Sequence, residues 1–345
     1  MTTTAPSTAA PVPQGVRRAT PAQNLVTLAL GWWLTAGIFV DGWAHNRYGE
    51  SLETFFTPWH ALFYSGFLAV AAWVLWLGTR GWRTGRRGFA AFPEGYHLAA
   101  LGVPIFLVGG LGDLTWHTVF GIEVGIEALL SPTHLLLFAG AICILSAPLV
   151  SAWRTPTPRA APAGVVWPAV LAATSLLSFT AFMHMYLWGL LLAPQGLGYV
   201  QTRGELGSIL LTALILAAPV LLLLRRFRLP FGAVTLMYGL NTVLMTLMLV
   251  PGEWRVPLLM VAAGLVVDAL LLLLNPSPAR PWALRAFAFL LPLAVWGPYL
   301  GGLTLLHLSN LSLELWLGVA VMAGLGGVAL SALVVPPPLP AEAEG

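Results

Sequence analysis

The sequence predicts an all-α integral membrane protein with about ten transmembrane helices, and three observations lead to this prediction. Apolar residues make up 58% of the 345 positions and charged residues only 8%, whereas soluble domains carry about 25% charged residues. Apolar runs close to the ~20 residues that cross a bilayer follow one another along the chain. The breaks between these runs are alternately rich and poor in arginine, as expected when positive charge stays on the cytoplasmic side.

The arginine pattern also predicts the orientation of the helices. The arginine-rich breaks include Arg17, Arg80 and Arg226, whereas the other breaks hold only Arg47, Arg203 and Arg255. We therefore expect a multi-pass protein of the cell membrane in which odd-numbered spans run outward and both termini are cytoplasmic. The predicted spans are 24–44, 58–78, 97–117, 132–153, 165–192, 207–224, 231–250, 256–274, 283–305 and 313–335.

The spans divide the chain into four predicted parts. Residues 1–22, rich in Thr, Ala and Pro, are expected to form a disordered cytoplasmic tail, and residues 336–345 a second cytoplasmic tail. Between them we predict a four-helix unit at 23–155 and a six-helix membrane bundle at 160–335.

Charge and cysteine content limit the partners. The net charge of +3 is spread over interhelical breaks and forms no basic stripe, so nucleic acid is not an expected partner. Cys143 is the only cysteine, which excludes an internal disulfide and a thiolate metal cluster. Membrane lipid is the expected partner, with other membrane subunits or a homo-oligomer left open.

Residues 23–155 contain one polar motif twice. Its common pattern is G-x3-D-x3-H-x2-[YF]-G, followed after a loop by E-x3-[ST]-P-x-H-x5-G. Ten positions agree in register with one change of loop length, which predicts a duplicated two-helix hairpin arranged as parallel repeats. The first copy holds Gly37, Asp41, His45, Tyr48, Gly49, Glu53, Thr57, Pro58, His60 and Gly66, and the second holds Gly109, Asp113, His117, Phe120, Gly121, Glu127, Ser131, Pro132, His134 and Gly140.

The spacing of this motif predicts a metal site at the outer membrane face. Asp and His four residues apart lie on one face of a helix, and the Ser/Thr-Pro pair is typical of a helix start. The second His then lies in the first helical turn, where the positive helix end favours the neutral imidazole that binds metals. The predicted ligands are Asp41, His45, Glu53 and His60 with Asp113, His117, Glu127 and His134, and His184 is a further candidate.

Histidine and carboxylate ligands suit a transition metal such as Cu, Zn or Fe. The sequence leaves open whether one dinuclear site or two separate sites form. It also leaves open a proton or polar-substrate site and a purely structural network of buried polar groups, although ionisable groups within membranes are usually functional.

The pattern formed by Asp41, His45 and His60, and again by Asp113, His117 and His134, resembles the metal-ligand pattern in the C subunit of the particulate methane and ammonia monooxygenases. The resemblance covers only these residues. It implies a copper site within or near the membrane.

The leading functional prediction is a membrane-embedded metal-dependent oxidoreductase or hydrolase. In it, Glu53 or Glu127 would act as a ligand or general base. One alternative is a metal-ion or proton-coupled transporter with an inward path through His184 and Asp268, and another is an assembly or scaffold subunit. For Asp268, in the eighth span, a hydrogen bond to Asn241 or to another helix is the simpler expectation.

Overall fold

The computed structural model describes residues 15–48, 55–121, 125–190, 199–307 and 311–337. Within these ranges, nine helices are long and apolar enough to cross a membrane, and Ala233–Leu249 is a shorter apolar helix. The protein is therefore an all-α multi-pass membrane protein, and the predicted fold class is confirmed.

Twelve α-helices occur in the described ranges. The ten predicted spans correspond to eleven of them, with one span divided between two helices, and the short helix α4 lies between two spans. Two single 3₁₀ turns, Gly88–Ala91 and Met185–Leu187, connect helices. The helices are α1 Pro21–Tyr48, α2 Pro58–Arg83, α3 His97–Phe120, α4 Glu127–Leu130, α5 Pro132–Leu145, α6 Ala147–Arg154, α7 Ala163–Met183, α8 Tyr199–Arg226, α9 Ala233–Leu249, α10 Arg255–Leu274, α11 Pro281–Leu305 and α12 Leu313–Val334.

The bounds of the fourth predicted span agree with the candidate span Pro132–Arg154, but bounds of the fifth and sixth were wrong. Within the fourth span the helix is broken at Ser146, because Pro148 cannot donate the hydrogen bond that would continue the helix and its ring collides with the preceding turn. The fifth span ends at Met183, before a 3₁₀ turn. Helix α8 begins at Tyr199, well before position 207, because a helix can continue through polar residues beyond the hydrocarbon layer.

The chain is ordered before the first predicted span. Helix α1 begins at Pro21, and Arg17 Nη1 donates to the backbone carbonyls of Leu77, at 2.8 Å, and of Ala91. The part of the predicted tail from 15 to 20 therefore lies against the end of α2, while residues 1–14 and 338–345 lie outside the described ranges.

Helices α1 and α2 pack as a close antiparallel pair. A β-carbon at Gly37 would lie 2.7 Å from the Phe63 Cα, and one at Gly66 would lie 2.8 Å from the Leu34 Cα. Only glycine permits backbones to approach this closely, as small residues commonly do at helix interfaces within membranes.

Helices α3 and α5 form a second pair with the same contacts. A β-carbon at Gly109 would lie 2.8 Å from the Leu137 nitrogen, and one at Gly140 would lie 2.6 Å from the Phe106 nitrogen. Adding 72 to the residue numbers of α1 and 74 to those of α2 converts the first set of contacts into the second. The two hairpins therefore cross at corresponding positions.

Helix α7 packs against α1, α5, α6, α8 and α9, and joins the two hairpins to the rest of the bundle. The buried apolar residues form two clusters. One lies mainly within the two hairpins, and the larger one extends through the remaining helices and includes Leu28 and Phe39 of α1. The predicted parts 23–155 and 160–335 thus share an extensive apolar boundary.

Asp268 of α10 is fully buried and caps the start of α9. It accepts hydrogen bonds from the backbone N–H groups of Val234, at 3.1 Å, and Thr235, at 3.0 Å, and from the Thr235 hydroxyl at 2.6 Å. The residue before α9, Gly232, has no side chain to satisfy those first N–H groups. The expected hydrogen bond to another helix is therefore present, whereas Asn241 donates to Ser178 Oγ at 3.4 Å.

Candidate metal centre

Six predicted ligands meet at one end of the two hairpins, where α1 and α3 finish and α2 and α5 begin; we call it the ligand end. Each hairpin contributes one Asp and two His residues whose ligand atoms all lie within 4.8 Å of one another. Site 1 consists of Asp41, His45 and His60, and site 2 consists of Asp113, His117 and His134.

In site 1, both histidines turn Nε2 towards the Asp41 carboxylate. The Asp41 Oδ2 atom lies 3.6 Å from His60 Nε2 and 3.9 Å from His45 Nε2. The two Nε2 atoms are 3.5 Å apart. Asp41 and His60 are buried, with 7% and 4% of their surface exposed.

Site 2 is more compact than site 1. The Asp113 Oδ1 atom lies 3.3 Å from His117 Nε2 and 3.1 Å from His134 Nε2. Asp113 is 1% exposed and His117 6%, so a carboxylate and two imidazoles converge in an environment with little water.

The residues that start α2 and α5 also orient two of the histidines. Thr57 Oγ1 accepts from the backbone N–H of His60 and lies 3.1 Å from His60 Nδ1. Ser131 Oγ accepts from the backbone N–H of His134 and lies 2.6 Å from His134 Nδ1. With Nδ1 held by a hydroxyl, Nε2 is the nitrogen presented to the carboxylate, and metal-bound histidines are usually held by their other ring nitrogen in this way.

The tautomer of His117 follows from its backbone partner. His117 Nδ1 lies 3.1 Å from the Gly121 carbonyl oxygen, which can only accept, so Nδ1 carries the proton. Nε2 lies on the other side of the ring, 3.3 Å from the Asp113 Oδ1 atom. Nε2 and the carboxylate are therefore placed where they could share a bound cation.

The two sites adjoin. The ring centres of His60 and His117 are 6.3 Å apart, and Phe55 stacks on His60 with ring centres 4.8 Å apart. Tyr64 of the first hairpin donates a hydrogen bond to Asp113 Oδ2 of the second hairpin at 2.7 Å. The six ligand residues thus form a single cluster.

The carboxylates of the two sites have different surroundings. Asp113 Oδ2 accepts from Tyr64, whereas the buried Asp41 Oδ1 atom has no hydrogen-bond partner among the described residues. The position equivalent to Tyr64 in the second hairpin is Phe138, which has no hydroxyl to donate. A buried carboxylate oxygen without a donor is costly unless a cation or another group pairs with it.

A cavity of about 470 Å³ adjoins the cluster. Asp41, His45, His117 and His134 line it together with residues from the ends of α7 and α9. Its volume lies within the range of roughly 300–1,000 Å³ typical of small-molecule sites.

The structure does not place three of the predicted site residues, Glu53, Glu127 and His184, in this cluster. Glu53 lies outside the described ranges, and the backbone of Glu127 begins α4 while its side chain is outside them. His184 belongs to neither ligand group; its Nδ1–H donates to the Thr180 carbonyl at 2.8 Å.

Sequence reasoning missed Tyr64 and the residues around His184. Tyr64 follows His60 by one helical turn, so the four-residue spacing placed it on the ligand face. Met183, Met185 and Tyr186 line the cavity although His184 does not. These residues reach the cavity because α7 ends at Met183, and hydropathy does not locate the end of a helix.

No protein-family model, curated protein sequence or solved structure matches this chain. The chemical interpretation of the cluster therefore depends on its own residues. The resemblance to the monooxygenase C subunit likewise rests only on the spacing of Asp41, His45 and His60 and of their counterparts.

Proposed function

We propose that this protein is a membrane-embedded metalloenzyme with two transition-metal ions held side by side, one in site 1 and one in site 2. The observation that carries the proposal is the pair of adjoining Asp/His/His groups, each with three ligand atoms within 4.8 Å of one another. Three protein ligands leave coordination positions open for water or substrate, as in catalytic metal sites.

Metal binding accounts for one feature that a purely structural network does not. The Asp41 Oδ1 atom is buried and has no hydrogen-bond donor among the described residues. A bound cation would offset the cost of that burial.

The cavity supports an enzyme over a carrier, because it gives a small molecule direct access to ligand atoms of both sites. A carrier would need a polar path leading inward from the cluster. Among the two residues proposed for that path, Asp268 has its oxygens engaged by the start of α9 and His184 bonds to the backbone of its own helix. Oxidoreductase and hydrolase chemistry both suit a centre of this type.

The matching glycine crossings and helix caps support the proposal that the two hairpins arose by duplication. The arginines at the opposite end of the bundle support an extracytoplasmic location for the centre. There, for example, Arg226 donates to the carbonyls of Trp153 at 3.0 Å and Thr155 at 2.8 Å.

The first prediction concerns metal content. Protein purified in detergent and loaded separately with Cu, Zn and Fe salts should hold two ions of at least one of these metals per chain, measured by plasma mass spectrometry. His60→Ala should lose the ion of site 1 and His134→Ala that of site 2, because each removes one of the three candidate ligands found among the described residues of its site.

His97→Ala is the matched control, because His97 lies exposed at the start of α3 and belongs to neither site. It should retain both ions. A wild-type protein that binds none of the three metals in stoichiometric amount, while remaining folded and monodisperse, would overturn the proposal.

A further inference from the structure

The cavity lies between the metal-ligand cluster and the helices outside the two hairpins. One wall is formed by Asp41, His45, His117 and His134, and the opposite wall by residues at the ends of α7 and α9, including Phe182 and Leu249. The ligands are thus exposed to the cavity from one side. Any molecule that occupies it contacts the cluster and the apolar wall at once.

The remaining lining is mostly aromatic and aliphatic. Phe63, Phe138, Phe179 and Phe182 lie around the cavity, and Met183 and Met185 line it near the end of α7. Thioether side chains adapt to irregular apolar shapes, and aromatic rings offer broad apolar contact surfaces.

Outside the Asp/His cluster, the lining residues that the structure describes carry no charged side chain. None of the described residues that line the cavity is an arginine, and the chain contains no lysine. Its polar members outside the cluster are Asn46 and Tyr186, which are neutral. The described lining outside the Asp/His cluster thus holds no group of opposite charge for an anion or for a cation. The part of a charged molecule that lies beyond the cluster would lose its hydration without a charged partner.

We propose that the cavity binds a neutral, mainly apolar small molecule and holds it against the Asp/His cluster. This inference depends on the proposed function only for what happens to the molecule at the metals; the binding itself follows from the shape and lining of the cavity. Such a molecule also dissolves in the bilayer, so the membrane supplies it at high local concentration.

The exposed part of the lining is apolar as well. Ile126, at 49% exposed, lines the cavity beside Gly125 and the buried Leu129. An apolar molecule that reaches the cavity past Ile126 would therefore meet an apolar side chain.

Photolabelling in lipid nanodiscs tests the proposal. The probe is trifluoromethyl phenyl diazirine, which is neutral and apolar, and labelled positions are mapped by peptide mass spectrometry. Labelling of Phe179, Phe182 and Leu249 should be competed away by excess naphthalene, because these residues surround one limited cavity. Labelling of lipid-facing residues such as Leu273, at 79% exposed, should not be competed.

A matched pair of variants on α9 locates the binding. Leu249→Trp fills the cavity and should abolish the competed labelling, whereas Leu247→Trp, on the lipid-exposed side of the same helix at 43% exposed, should retain it. Both variants should keep the metal content of the wild type, since neither residue is a ligand.

The two proposals fail separately. If the protein binds stoichiometric metal but naphthalene does not compete with the labelling, this inference is overturned and the proposed metal centre is not. The same holds if bilayer lipid fills the cavity. Stronger competed labelling by the benzoate analogue of the probe overturns the neutral substrate class. Competed labelling in a protein that holds no metal supports the cavity inference and removes the proposed enzyme.

Discussion

Tyr64 makes the two candidate metal sites chemically unequal. Its ring lies close to Gly110, where a β-carbon would approach the ring to 2.9 Å, and its hydroxyl donates to Asp113. The equivalent pair on the other side is Ile38 and Phe138, and both of these residues line the cavity. The two hairpins therefore share a set of candidate ligands but differ in what surrounds it. Asp113 of site 2 accepts a hydrogen bond from Tyr64, whereas the equivalent residue, Phe138, is apolar and lines the cavity.

A prediction about the Tyr64 hydroxyl follows from this difference. Tyr64→Phe should weaken the binding of the site 2 ion by ~10-fold or more, because outer hydrogen-bond partners of metal ligands typically contribute 10–100-fold to affinity. Site 1 should be unaffected. Competition with a chelator of known affinity measures the two constants.

Tyr186→Phe is the control, since Tyr186 lines the cavity but makes no hydrogen bond to either carboxylate among the described residues. It should bind both ions as the wild type does. Unchanged affinities in Tyr64→Phe would show that the hydroxyl does not tune site 2.

The convergence of the six Asp and His side chains was predictable because their positions depend on local rules. A four-residue spacing places Asp41 and His45 on one helix face, and a Thr-Pro helix start places His60 in the first turn. Tyr64 and the tautomer of His117 were not predictable, because each depends on a partner brought close only by tertiary folding or by the backbone path after α3.

At the scale of helices, the glycine crossings determine where the ligands meet. Each hairpin closes on two glycines, Gly37 and Gly66 in the first and Gly109 and Gly140 in the second. Because the backbones touch there, the ends of the helices and their ligands are held in a narrow range of positions.

Adding a methyl group at these crossings should therefore disturb both stability and metal binding. Gly66→Ala and Gly140→Ala should each lower the free energy of unfolding by about 1–3 kcal/mol, the usual cost of overpacking, because the new β-carbon would lie 2.8 Å and 2.6 Å from backbone atoms. Thermal unfolding in detergent, followed with and without metal, measures the effect.

Gly318→Ala provides the comparison, since a β-carbon at that position of α12 meets no atom within 4 Å. Its stability should be equal to that of the wild type or slightly higher, as alanine favours helices over glycine. Equal behaviour of all three variants would mean that the close crossings are not needed.

The number and order of the membrane helices were predictable from apolar run length and arginine placement. Their ends were not, because hydropathy measures transfer to lipid and does not register local backbone events. Pro148 is apolar and yet ends α5 at the turn before it, while the polar start of α8 is still helical around Arg203.

The whole molecule has two chemically different ends. Arginine side chains at one end bond to backbone carbonyls of neighbouring segments, as Arg159 does to Leu224, at 2.7 Å, and Pro276, at 3.0 Å. The opposite end holds the Asp/His cluster. The charge pattern predicts that the arginine end faces the cytoplasm.

Cysteine labelling tests this orientation in a Cys143→Ser background, which removes the only native cysteine. Arg255→Cys lies at the ligand end and Arg87→Cys at the arginine end, and both native residues are exposed. An impermeant maleimide should label Arg255→Cys in intact cells, and Arg87→Cys only after permeabilisation. The reverse pattern would place the centre on the cytoplasmic side.

The hydroxyls of Thr57 and Ser131 each have two tasks. A single oxygen accepts from the first turn of its helix and contacts the Nδ1 atom of the histidine in that turn. Natural selection for a stable helix and selection for a correctly oriented ligand therefore act on the same atom. We expect evolutionary drift at these two positions to be confined to serine and threonine for as long as the chemistry is retained, even where the flanking apolar residues exchange freely.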